Sequence, residues 1–300
     1  MEQMRFRLFI FSLSIIIALS AVEAPASARS FEDALGRKIT LRSAPKRIIP
    51  LAPNLTEILY ALGLGDRVVG VTRFSSYPPE AASKPKVGSY IDINVERIIS
   101  LLPDLVIATV DGNAQGTVEL LEQAGIKVFI VNPRTITQVI DTIKTMGKVC
   151  GIQQEALYVA KRLQGRVERV VEKTRGRGTP GVFLEINIRP IMSVNKKTFH
   201  HDLIRLAGGR NITEDEPITY PRINIEEVIR RRPDVIIISS MERGSRFEMA
   251  RKEWLKWPSI PAVKNGRVYL IDSDLIDRPS PRLVQGLEEM AKLIHPEIQW

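Results

Sequence analysis

Cysteine and histidine are scarce in this sequence. Its 300 residues include one cysteine, Cys150, and three histidines, His200, His201 and His295. A single cysteine excludes a disulfide within the chain, and its apolar neighbours favour a small buried side chain. Two adjacent histidines diverge by about 100° on a helix, so they cannot easily share one metal ion. We therefore expect no intrinsic metal or cofactor, and no dedicated zinc or manganese site.

Long hydrophobic runs are also missing. The apolar, uncharged stretch over residues 8–22 is shorter than the roughly 20 residues that a membrane-spanning helix needs. Two arginines precede it and Ala26-Ser27-Ala28 follows it, an order typical of a secretory signal peptide cleaved after Ala28. The only cysteine lies far from that point, so the chain has no acceptor for a lipid anchor there. We expect an exported, periplasmic protein that is not lipid-anchored.

Acidic residues are outnumbered, which gives a formal net charge of +9. Such an excess would suit nucleic acid or an anionic membrane. Residues 144–178, however, hold nine Lys and Arg against three Glu, so most of the excess belongs to one segment with helical periodicity. The solvated face of a helix explains this charge, and an exported protein meets little nucleic acid. We expect no nucleic-acid partner.

The sequence contains one pattern twice, at an offset of 130 residues. Residues 91–108 read IDINVERIISLLPDLVIA and residues 221–238 read PRINIEEVIRRRPDVIII, with seven of eighteen positions identical. In each copy an asparagine suited to an N-cap opens a short helix, and a proline ends it. A run of branched aliphatic residues follows, which is typical of a parallel strand covered on both faces. The repeat predicts two similar α/β lobes.

The alternation of strand and helix continues outside the repeat. An Asn-x-x-Glu capping box, Asn54 with Glu57, is expected to open a helix over residues 54–62. Further strands and helices are predicted in both lobes: strands over residues 47–51, 67–71, 127–131, 182–186 and 268–271, and helices over residues 118–124 and 203–207.

Apolar residues spaced by four and three predict a long helix between the lobes, over residues 136–173. The predicted fold is therefore α/β, with two Rossmann-like lobes joined by one long rigid helix and a ligand cleft between them. The expected division is a signal peptide over residues 1–28, an N-terminal lobe over 29–135, a linking helix over 136–178 and a C-terminal lobe over 179–300.

Three features carry a family resemblance: residues 50–57 (PLAPNLTE), the doubled Asn-x-Glu…Pro-Asp block, and residues 278–282 (RPSPR). Together they resemble the periplasmic binding proteins with a rigid helical backbone, class III, which serve cobalamin, haem and ferric siderophores. The cobalamin-binding branch of that class is similar at residues 76–79 (SYPP), 94–98 (NVERI), 125–128 (GIKV) and 280–282 (SPR). The resemblance covers about residues 45 to 295.

The resemblance implies a non-enzymatic, monomeric solute-binding protein of an ABC importer. Such a protein captures a corrinoid such as cobalamin between its lobes and delivers it to a membrane permease dimer. Glu96 and Glu226, one on each lobe, are implied to dock into arginine pockets of the permease, although a first-turn acid also stabilises its own helix. The implied ligand-binding residues are Pro53, Phe74, Tyr90, Met192, Tyr220, Leu275, Ile276 and Arg278.

Several of these positions depart from the cobalamin-binding branch. Tryptophan of that branch is replaced by Tyr90, Tyr220 and Leu275, and phenylalanine is replaced by Met192 and Ile276. The cleft is thus expected to stay apolar but to lose aromatic surface.

Other ligands and another class of protein stay open. A ferric siderophore would use cationic contacts, for which the candidates are Arg73, Arg189 and Arg278. Haem would need an axial ligand, for which the candidates are Tyr90, Tyr220 and His200. An enzyme that handles a tetrapyrrole or a metal cofactor could share the two-lobed architecture. It would need a nucleophile, a base or a metal cluster, and the segments around the expected cleft show no such set.

Overall fold

A computed structural model describes residues 28–239 and 246–300. The signal peptide expected over residues 1–28 lies, except for its last residue, outside the described residues. The described chain begins with an antiparallel hairpin of two strands, β1 (Arg29–Glu32) and β2 (Lys38–Leu41). Within the described residues, no helix is both long enough and apolar enough to cross a bilayer.

Three parallel strands form the centre of the first lobe. They are β3 (Ile48–Pro50), β4 (Leu105–Thr109) and β5 (Val128–Val131), arranged in that order. Every residue of these strands is buried, as expected for strands covered on both faces. Helices connect the strands or flank them: α1 (Pro53–Ala61), α2 (Val95–Ser100) and α3 (Gln115–Gln123).

The strand expected over residues 67–71 does not form. Residues Gly65–Arg67 make a single 3₁₀ turn, and the segment after it contributes only isolated parallel bridges, from Val68 to Ile48 and from Val71 to Lys86. Val68 and Val71 are buried all the same and Val69 is partly buried, so the hydrophobic pattern here indicated burial rather than a strand.

The predicted linking helix is divided in two. Helix α4 (Ile136–Cys150) ends where Gly151 adopts a left-handed conformation with φ 75°, and α5 (Gln153–Thr174) follows. Glycine takes this conformation without steric cost, which is why a helix commonly stops beside it. Helix α5 has 22 residues and packs against α4 on one side and against the last helix of the second lobe on the other. It is the long helix that joins the lobes.

Four parallel strands form the second lobe. In chain order they are β6 (Gly181–Glu185), β9 (Arg210–Asn211), β10 (Val235–Ile238) and β11 (Val268–Leu270); a hairpin of β7 (Asn187–Ile188) and β8 (Ile191–Met192) follows β6. The order across the sheet is β11-β10-β6-β9. The helices are α6 (Phe199–Leu206), α7 (Ile225–Arg231), α8 (Arg246–Trp254), α9 (Pro261–Lys264), α10 (Ser273–Ile276) and α11 (Leu283–Ile294).

The sequence repeat is also a structural repeat. The side chain of Asn94 accepts a hydrogen bond from the third residue of α2 at 2.7 Å, and that of Asn224 does the same for α7 at 2.8 Å. Both predicted N-caps are confirmed. The residues before the two prolines, Leu102 and Arg232, share a left-handed conformation with φ 45° and 50°.

The aspartate of each Pro-Asp pair ties two strands together. The Asp104 carboxylate accepts the backbone N–H groups of Lys46 and Arg47, just before β3, at 2.7 and 2.9 Å. The Asp234 carboxylate accepts the N–H of Gly181, the first residue of β6, at 2.7 Å. In both lobes the aspartate lies just before one strand and satisfies backbone donors at the start of the neighbouring strand.

Glu57 joins the two lobes. The expected capping box is wrong, because α1 begins at Pro53 after Ala52, with no side-chain cap. Glu57 is only 3% exposed, and its carboxylate instead accepts hydrogen bonds from the second lobe: from Ser280 at 2.6 Å, from Arg282 at 2.7 and 2.9 Å, and from Arg278 at 3.3 Å. We call Glu57 and these three partners the interlobe cluster.

Removing Glu57 should destabilise the protein strongly. Glu57→Ala leaves two largely buried guanidinium groups without their shared carboxylate, and breaking a buried pair costs about 3–5 kcal/mol. Urea unfolding of the variant should show a loss in free energy of unfolding within that range. The matched control is Glu288→Ala, which breaks the more exposed pair with Arg166 and should cost about 1 kcal/mol. Equal losses in the two variants would contradict a special role for Glu57.

Candidate ligand-binding cleft

Two tyrosines, one from each lobe, lie near each other where the lobes meet. Tyr90 and Tyr220 are separated by the same offset of 130 residues as the repeat. Both are half-buried and pack against the same hydrophobic cluster. Burial raises the pKa of Tyr90 to about 12, and the nearby Asp111 carboxylate and Tyr220 hydroxyl add to this rise. Burial and the same Asp111 carboxylate also raise the pKa of Tyr220.

Residues that follow β4 hold Tyr90 in place. The side-chain amide of buried Asn113 donates to the carbonyls of Tyr90 and Leu51, at 3.2 and 3.1 Å, and its oxygen accepts the N–H of Thr109 at 2.9 Å. The Tyr90 ring lies directly on Gly112, where a Cβ atom would collide with it. A glycine is therefore required at this position for the ring to lie where it does.

The backbone around Tyr220 is fixed by the segment that follows β8. Ser193 donates its N–H to the carbonyl of Pro221, and Asn195 donates its N–H to that of Thr219, both at 3.0 Å. The side chain of Asn195, which is almost fully buried, also donates to the carbonyl of Glu216 at 3.0 Å. The residues on both sides of Tyr220 thus accept backbone hydrogen bonds from the segment after β8.

Carboxylates from both lobes lie beside the tyrosines. Asp111, after β4, forms a bidentate ion pair with Arg134, after β5. In the second lobe Asp277 lies near enough to Tyr220 to raise its pKa slightly. The Asp277 carboxylate accepts a hydrogen bond from Ser239 at 3.0 Å and lies 3.0 Å from Nε2 of His200.

The structure spreads the eight expected ligand-binding residues over several environments. Phe74 is exposed, and partly buried positions are taken by Pro53 at the start of α1, Met192 at the end of β8, Leu275 in α10, Tyr90, Tyr220 and Arg278. Arg278 belongs to the interlobe cluster and also pairs with Asp274 at 3.0 Å. Ile276 is fully buried in the core, and its expected contact with a ligand stays a prediction.

Sequence reasoning missed the residues that surround the tyrosines. These are Asp111, Gly112 and Asn113 after β4, Arg134 after β5, and Asp277 after α10. A usable signal was present, because polar residues just beyond the carboxyl ends of parallel strands are where α/β proteins place their binding sites.

The two glutamates implied to dock with a permease occupy matching places. Glu96 is the second residue of α2 and Glu226 the second residue of α7, and both side chains are exposed. In the described part of the chain, neither forms an ion pair. Each lobe therefore presents one unpaired surface carboxylate at the start of a repeat-related helix.

The comparisons with known proteins agree with this architecture. A family model described as periplasmic binding protein matches residues 48–275. The chain belongs to the periplasmic binding protein family. One relative is the uncharacterized ABC transporter substrate-binding lipoprotein YvrC of Bacillus subtilis, 33% identical over 276 residues, which cover 89% of this chain and 86% of the relative.

The names of two further matches refer to vitamin B12. The vitamin B12-binding protein of Vibrio vulnificus is 32% identical over 256 residues, which cover 85% of this chain and 92% of the relative. The crystal structure of the periplasmic vitamin B12 binding protein BtuF of Vibrio cholerae superimposes with a TM-score of 0.77 at 28% identity, covering 84% of this chain and 98% of that one. This periplasmic binding protein thus shares a two-lobed α/β fold with BtuF.

Adding a methyl group at Gly112 should disturb the cleft. Gly112→Ala drives a Cβ atom into the Tyr90 ring, and overpacking of this kind typically costs about 1–3 kcal/mol. We expect a lower urea midpoint and a changed near-ultraviolet circular dichroism spectrum. Gly116→Ala is the control, because Gly116 lies in α3 with open space around it and alanine favours the helix. Unchanged stability and an unchanged spectrum in Gly112→Ala would contradict the contact.

Proposed function

We propose that this protein is the periplasmic solute-binding component of an ABC importer and that it captures a corrinoid, cobalamin above all, between its lobes. The observation that carries the proposal is the pair of repeat-related tyrosines, Tyr90 and Tyr220, which offers a phenol from each lobe to one ligand. Aromatic faces with few polar groups suit a large flat macrocycle. The B12-binding names of relatives that align over most of the chain support the same ligand class.

The arginines of the cleft favour a ligand that is not rich in carboxylates. Arg134 is already paired with Asp111, and Arg278 with both Glu57 and Asp274. Haem propionates or an anionic siderophore would have to compete with these carboxylates. The amide side chains of a corrinoid are neutral, and their N–H groups can donate to the carboxylates of Asp111 and Asp277.

Haem fits the candidate axial ligands less well. Iron(III) binds tyrosine as tyrosinate, and the pKa of Tyr90, raised to about 12, disfavours that anion. His200 is almost fully buried, and its Nε2 already lies 3.0 Å from Asp277. A ferric siderophore is the second candidate, because Arg73 is exposed and has no ion-pair partner among the described residues.

We further propose that the protein is exported and acts without a lipid anchor. The B. subtilis relative is named as a lipoprotein, but the only cysteine of this sequence is Cys150 at the end of α4. That side chain is fully buried, and burial raises the pKa of its thiol to about 12. The proposed partner of the exported protein is a permease dimer, which Glu96 and Glu226 would contact from the two lobes.

Titration calorimetry with cyanocobalamin, haem and a panel of ferric siderophores tests the ligand. We expect one-to-one binding of cyanocobalamin, weakened about tenfold or more by Tyr90→Ala or Tyr220→Ala, since each removes an aromatic contact. The control is Tyr158→Ala, which alters a tyrosine that is 70% exposed on α5 and should leave the affinity unchanged. If only an iron chelate gives binding heat, the corrinoid assignment is rejected and the proposed transport role is kept.

Uptake tests the docking residues. In cells that depend on this protein for cobalamin uptake, Glu96→Gln combined with Glu226→Gln should abolish transport and leave the calorimetric affinity intact. The control replaces Glu119 and Glu289, one on each lobe, whose partners are residues of their own helices. Full uptake by the Glu96/Glu226 double variant would remove the docking proposal without touching the ligand assignment.

A further inference from the structure

The second lobe contains a pocket outside the cleft where Tyr90 and Tyr220 lie. Its volume is about 320 Å³, and it opens between the β7–β8 hairpin, the first residue of α7 and one face of α8. Its walls are largely apolar: Ile188, Pro190 and Ile191 from the hairpin, Ile225 from α7, and Ala250, Trp254 and Trp257 from α8 and the turn after it. None of the eight residues implied to bind the corrinoid lines this pocket, whereas Arg189, a candidate contact for a ferric siderophore, does.

A buried carboxyl group lies at the bottom of the pocket. Glu185, the last residue of β6, is 1% exposed. It accepts a hydrogen bond of 2.5 Å from the indole N–H of Trp254. Within the described residues it has no arginine, lysine or histidine partner, and burial raises its pKa to about 7. A buried carboxyl group without a cation is costly, and it is unusual unless a partner arrives from elsewhere.

The other charged residues of the pocket do not supply that partner. Arg189, in the turn of the hairpin, and Glu253, on α8, line the pocket but are exposed. Arg189 acts on Glu253, whose pKa it helps to lower, and not on Glu185. The positions beside Glu185 are thus aromatic or aliphatic, and the site for a counter-cation is unfilled by the described chain.

We propose that this pocket, which Trp254 and Trp257 help to line, binds an organic ammonium ion with an apolar body. The Glu185 carboxylate accepts hydrogen bonds from the N–H groups of the ammonium ion. Three features fit that chemical class. The carboxylate supplies charge and hydrogen-bond acceptors, Trp257 in the pocket wall supplies aromatic surface that attracts a cation, and the isoleucines cover a hydrocarbon group. A volume near 300 Å³ matches the lower end of the range of small-molecule sites. The proposal is independent of the corrinoid assignment.

Tryptophan fluorescence provides a direct readout. The chain has three tryptophans, and two of them line the pocket. The third, Trp300, packs against Lys173 and does not line the pocket, so Trp300→Phe leaves only the two pocket tryptophans. The purified Trp300→Phe protein is titrated with 2-phenylethylammonium, with the neutral isostere 2-phenylethanol and with the anion phenylacetate.

We expect the ammonium probe to bind at least tenfold more tightly than the alcohol, and phenylacetate not to bind. Glu185→Gln should lower the affinity for the ammonium probe at least tenfold, because it deletes the negative charge. Its amide oxygen still accepts the Trp254 hydrogen bond, so the fold should be kept, which circular dichroism verifies. Glu253→Gln, at the exposed mouth, is the matched control and should change the affinity by less than about threefold.

Four outcomes would overturn the proposal. One is equal binding of the ammonium probe and the alcohol, and another is an affinity that Glu185→Gln leaves unchanged. The third is the absence of any fluorescence response to the ammonium probe at millimolar concentration. Tyr220→Ala separates the pocket from the cleft, since it should leave ammonium binding intact. A loss of binding in that variant would place the cation in the cleft and also reject the pocket.

Discussion

The relation between the lobes depends on one buried carboxylate. Glu57 lies in the first lobe, and every hydrogen bond to its carboxylate comes from a segment of the second lobe. Two arginines share it, and each has a further contact: Arg278 pairs with Asp274, and Arg282 lies over the ring of Tyr77 at 4.0 Å. A buried charge cluster tolerates little change in geometry. Together with α5, it therefore gives the two lobes a second fixed point of contact.

The internal repeat explains why the cleft is nearly symmetric. The same offset of 130 residues relates the N-caps Asn94 and Asn224, the strand-tying aspartates, the surface glutamates and the two tyrosines. Each tyrosine comes four residues before its N-cap asparagine. The backbone that fixes the helix start therefore also fixes the place from which the tyrosine projects. The residues that support the two tyrosines are not related by the repeat. Gly112 and Asn113 hold Tyr90, whereas the segment after β8 holds the backbone around Tyr220.

Much of the fold was predictable because local signals and burial agree. The buried aliphatic runs of β4 and β10 and the asparagine caps were read correctly from residue type and spacing. One error arose where a residue serves a distant partner. Glu57 resembles a capping acid at three residues from Asn54, but its partners lie more than 220 residues away. Ile276 fits a family position in the cleft, and its complete burial in α10 is visible only in the packed structure. Gly151 is a signal in the sequence for the end of α4, because glycine readily adopts the left-handed conformation that ends a helix.

The fixed points constrain how a ligand could enter between the tyrosines. The Tyr220 hydroxyl contributes to the raised pKa of Tyr90, so the two side chains are close, and a macrocycle placed between them would have to separate them. Helix α5 and the interlobe cluster resist separation at two places, which leaves a small rotation about the line that joins them. A small rotation orders few residues, so little of the binding free energy is lost to reorganisation. The buried cluster thereby favours a cleft that is largely formed before a ligand arrives, and under the proposed function the affinity would depend mainly on the tyrosines and the polar residues beside them.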